Sequence, residues 1–194
     1  MRGISVQKVA KVLKVLVTLT FVCNLIALYL VPVAVMSKSP SLWEGIRSYL
    51  GGILFPGEDG IVMAGVFASL LSWAWVWKDA YDLVLAAFLL FSGCCTAVVL
   101  WQGRRVLDTI LRGEPFAAEN AVSLRRAALC AFCIAGAALV RVIWGIWYYQ
   151  SLRSLTSYNA LFVPIFAMAG LLCLIMSALF RQAAEIKAEN DLTI

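Results

Sequence analysis

The sequence predicts an all-α, polytopic membrane protein with four transmembrane helices, and three observations carry that prediction. Of the 194 residues, 63% are hydrophobic and 14% charged, whereas soluble domains run nearer half apolar and a quarter charged. The excess has to face lipid, or protein within lipid. The apolar residues are gathered into runs of about 20, the length that crosses a hydrocarbon core. The cations sit at the ends of those runs and are unevenly shared between alternate ends. With the N-terminus inside, the inner segments carry Arg2, Lys8, Lys11, Lys14, Arg104, Arg105, Arg112, Arg125, Arg126, Arg181 and Lys187, and the outer ones carry Lys38, Arg47, Lys78 and Arg153. Eleven against four puts the N- and C-termini on the cytoplasmic side, and the cell (inner) membrane is the expected location.

The first span is expected at about 15–36. Lys8, Lys11 and Lys14 precede it on one face of a helix. The apolar run exceeds the roughly 7–15 residues of a signal-peptide core, so a retained anchor is expected. Asn24 lies mid-span, positioned for an interhelical hydrogen bond, and Pro32 is expected to bend or end the helix.

An outer segment, 37–82, follows. SKSPS and FPGEDG are loop chemistry. Ile61 to Trp77 is apolar enough to suggest a further span, but a fifth crossing would reverse the later loops and leave six cations inside against nine outside. This stretch is therefore expected on the outer surface or dipping into the headgroup layer. Trp73, Trp75 and Trp77 alternate: on an extended chain all three would share one face, on a helix they would fan widely, and in either form such rings settle at interfaces.

The second span is expected at about 83–103, ending near Trp101. The cytoplasmic loop, 104–126, has Asp108 four residues from both Arg104 and Arg112, so neutralisation along one helix face is expected. Gly113 reads as a helix stop, and Pro115 as the first turn of a new helix. The third span, about 127–148, ends in Trp144, Trp147, Tyr148 and Tyr149. Within it lies Arg141, a charge costing roughly 2.5–3.5 kcal/mol at a membrane centre; Asp82 is its expected partner, with Asp79 as the alternative. The fourth span is expected at about 160–180, with Pro164 in its first turn. The tail, 181–194, sets Arg181 and Lys187 against Glu185, Glu189, Asp191 and the terminal carboxylate. It is opposite in sign to the arginine-rich loop. Exposed pairs of this kind contribute only about 0–1 kcal/mol each.

Several functions are disfavoured. The chain has no histidine, which removes the commonest general base and neutral metal ligand. No constellation of catalytic side chains is visible, so no enzyme and no cofactor are expected. Cys130-x-x-Cys133 has redox spacing, but the outer loops offer no second thiol pair; Cys23, Cys94, Cys95, Cys130, Cys133 and Cys173 all lie in apolar runs and read as packing residues. The net charge of +5 is spent on orientation in the bilayer, so direct nucleic-acid binding is not expected.

Two motifs stand out. G-E-P-F-x-x-E-N-A-x-x-L-R-R runs from Gly113 to Arg126, and F-R-Q-x-x-E-x-x-x-E-N-D-L-T-I from Phe180 to Ile194. Together they resemble the bacterial membrane family called domain of unknown function 2975, from roughly Leu83 onward. Ala183 or Ala184 stands where the family's tail motif usually has glycine. The resemblance implies a small four-span protein, often encoded beside a short helix-turn-helix regulator, with no established chemistry.

The leading expectation is a non-catalytic regulatory or sensory membrane protein whose cytoplasmic face binds a partner, such as that small DNA-binding regulator. The expected contact residues are Glu114, Phe116, Asn120, Arg125, Arg126, Glu189, Asn190 and Asp191, with Phe116 as apolar anchor and the charges for register. The bilayer and a second copy of the chain are further expected partners. The alternative is a small transporter, or a subunit of one, using Arg141 with Asp82, although no internal repeat of the kind many transporters show is evident.

Overall fold

The computed structural model describes residues 6–36, 60–76, 80–151, 155 and 158–192. Arg2, Lys38, Arg47, Trp77, Lys78, Asp79 and Arg153, used in the charge count or the interface reading, lie outside them. Five helices are seen among the described residues: α1 (Val6–Met36), α2 (Gly60–Trp75), α3 (Ala80–Leu111), α4 (Ala118–Tyr149) and α5 (Tyr158–Leu192). Helix is the form a single lipid-exposed segment takes, because every backbone donor and acceptor is then satisfied within it. Side-chain hydroxyls follow the same rule. Thr18 donates to the Lys14 carbonyl at 2.8 Å, Thr20 to Leu16 at 2.9 Å and Thr96 to Ser92 at 2.8 Å.

Among the described residues, four helices are long and apolar enough to cross a membrane, over Gln7–Val35, Ala80–Leu111, Ala118–Tyr149 and Ala160–Asn190. The chain is an all-helical multi-pass membrane protein. The helices outrun the expected spans, since the polar flanks continue the same helices. Thus α1 takes in the three lysines, and α5 carries the tail through Leu192. Pro32 does not end α1, which continues to Met36. Pro164 lies in the second turn of α5, because that helix starts at Tyr158 rather than at 160.

The chain divides into two compact units. In the first, 26–90, the second half of α1, α2 and the start of α3 share a core of Val31, Val35, Val76, Leu85 and Ala86, flanked by Tyr81, Leu89 and Leu90. The stretch expected as an interfacial segment is here a 16-residue helix, α2, about 24 Å long and so shorter than the roughly 30 Å hydrocarbon core. Its buried serines face the packing. Ser69 gives its proton to the Val66 carbonyl at 2.7 Å, so at 3.0 Å it is Tyr29 of α1 that donates to Ser69. Ser72, fully buried, donates to the Ser69 carbonyl at 2.6 Å. Helical geometry also separates Trp73 from Trp75 by about 200° around the axis, so the shared face of an extended chain does not form.

The second unit, 1–25 with 91–194, holds the first part of α1, the rest of α3, and α4 and α5. α1 and α3 run antiparallel. Asn24 Nδ2 donates to the Gly93 carbonyl at 3.0 Å, the rings of Phe21 and Trp101 are 6.0 Å apart, and Lys14 meets Asp108. α4 and α5 pack along one another. The α4 face is small-residue chemistry: Ala121, Ala128, Ala131, Ala135, Ala138 and Val142 are all buried, and such stripes let backbones approach where water supplies no driving force. α5 answers with Gly170, where an added Cβ would stand 3.0 Å from the Phe132 ring.

Candidate functional site

The antiparallel register gathers the polar termini of four helices at one end of the 1–25/91–194 unit. Lys14 of α1 joins Asp108 of α3, Thr109 of α3 joins Asn120 of α4, and Ser177 of α5 donates to the Ala121 carbonyl of α4 at 2.7 Å. Lys8, Lys11, Arg104, Arg105, Arg112, Arg125, Arg126, Arg181 and Lys187 share this end.

Its centre is the turn from α3 to α4. α3 ends in a Schellman arrangement. The Gly113 N–H bonds to the Ile110 carbonyl and the Glu114 N–H to the Thr109 carbonyl, both at 3.1 Å, with Gly113 at φ +88°. Pro115 and Phe116 then form a turn, closed by the Ala117 N–H on the Glu114 carbonyl at 3.3 Å. Pro115 therefore precedes α4 rather than opening it. The physical reason is Asn120, whose Nδ2 holds the Pro115 carbonyl at 2.8 Å while its Oδ1 accepts from the Thr109 hydroxyl at 2.6 Å. The N-cap, Ala117, contributes no side-chain hydrogen bond.

Asn120 is thus 1% exposed and occupied on both sides of its amide. Expected as a contact residue for a partner, it is instead an internal staple of the turn. Phe116 lies against Phe180 of α5, with centroids 6.2 Å apart, and remains 51% exposed. Glu114, Arg125 and Arg126 are exposed, as are Glu189 and Asn190 near the end of α5. Asp191 is helical, and its side chain lies outside the described ones. Arg181 pairs with Glu185 at 2.9 Å along its own helix.

Asp108 was expected to neutralise Arg104 and Arg112; its partner is Lys14, at 2.5 Å. Beside this pair, Arg105, Asp108, Thr109, Arg112, Glu119, Asn120 and Ser123 line a cavity of about 60 Å³. Lys14, Thr109, Ser123 and Ser177 were absent from the sequence-based set. The lysine spacing alone placed Lys14 on a face, without indicating which helix that face meets.

Elsewhere, Arg141 is half-buried on α4, one turn before Trp144, and neither it nor Asp82, in the first turn of α3, is without a partner. Trp144 lies tilted against Trp147, centroids 5.5 Å apart, and stacks with Tyr148 at 6.5 Å, at the opposite end of α4 from the turn. The six cysteines are free thiols.

No curated protein and no solved structure matches the chain. A family match does exist, and it starts earlier than Leu83, within α2, and takes in α3, α4, α5 and the turn just described. The chain belongs to the family described as protein of unknown function (DUF2975), whose family model matches residues 73–194.

Proposed function

We propose that this is a non-catalytic regulatory or sensory protein of the cell (inner) membrane, whose cation-rich end faces the cytoplasm and docks a partner. The supporting observation is the convergence at that end. The register of four helices collects the cations there, which accords with the positive-inside bias, and beside them stands Phe116, an aromatic ring half-exposed on a stapled turn. Ring and charge together are the composition of a docking centre, with the aromatic supplying contact area and the charges register. The neighbouring α5 extension carries Glu185, paired with Arg181, and Glu189 beside Lys187, giving a second wall of mixed charge. The partner chemistry that fits is a small helix-turn-helix regulator, the kind of protein the family resemblance implies.

The test is a photo-reactive residue in place of Phe116, crosslinked in native membranes. Capture of a small DNA-binding protein, lost in an Arg125→Ala, Arg126→Ala variant, is the expected result. Capture of α5 alone would refute docking at this turn.

A further inference from the structure

We draw no further inference here: the strongest candidate, the four free thiols that Cys94 and Cys95 place on α3 and Cys130 and Cys133 on α4 within the membrane-spanning helices, carries nothing, because among the described residues no such group is placed to hold a metal ion and nothing shows a redox partner for them.

Discussion

The Thr109 hydroxyl donates to Asn120 Oδ1 at 2.6 Å across the α3–α4 turn, and the same amide holds the Pro115 carbonyl. One buried side chain therefore fixes both the distance between two membrane helices and the path of the chain that joins them. Asn120→Ala is expected to lower stability by about 1 kcal/mol, because the part-buried Pro115 carbonyl loses its donor while the Thr109 hydroxyl keeps the Val106 carbonyl, at 2.8 Å, as acceptor. Asn120→Asp keeps the acceptor and loses the donor, and is expected to keep Thr109 paired while freeing Pro115. Thermal unfolding in detergent, followed by circular dichroism, checks the order of the three proteins.

Gly113 has φ +88° with open space where a Cβ would stand. Gly113→Ala therefore meets strain and no clash, and a loss of about 1–2 kcal/mol is expected. Gly113→Asn, a residue that tolerates this region better, is expected to lose less. Equal losses for the two would mean that something other than backbone conformation governs the position.

Lys14 and Asp108 are each about one-third exposed, so their pairing is worth little in absolute terms. A double-mutant cycle with Lys14→Met and Asp108→Asn is expected to give a coupling of about 0.5–1 kcal/mol. It should shrink as salt is raised. A coupling of zero at low salt would show that α1 and α3 do not hold this register in the membrane.

Gly170 meets the Phe132 ring closely enough that any larger residue has to displace it. Gly170→Val is expected to destabilise the α4–α5 pair by about 1–3 kcal/mol. Phe132→Ala in the same chain opens the space and is expected to recover part of that loss. Unfolding midpoints of the single and double variants decide it.

The four long helices were legible because their apolar runs match the thickness of a bilayer, and the stop at Gly113 was legible because only glycine takes that conformation easily. What the sequence could not show is which residue faces which. Asp108 has Arg104 and Arg112 at local helical spacing, and nothing along the chain reveals that Lys14 arrives from another helix. Asn120 sits in a polar stretch and reads as exposed, yet the closing of the turn buries it. Pro115 is suited to a first helical turn, but the hydrogen bond from Asn120 claims its carbonyl before α4 begins. Ile61 to Trp77 gave conflicting signals from hydropathy and charge, and the α2 that forms there is shorter than a full span. Packing chose among options that periodicity left equal.

The contact between Phe116 and Phe180 marks how far the turn extends along α5, and α5 continues as helix to Leu192. Those last turns project about 18 Å past the contact, more than half the width of a small domain. Anything that settles on the turn therefore rests in a corner, with a floor made by the ends of α3 and α4 and a side wall made by a single upright helix. A flat partner would be turned away by that geometry, whereas one with a projecting edge would be guided into place before any specific contact formed.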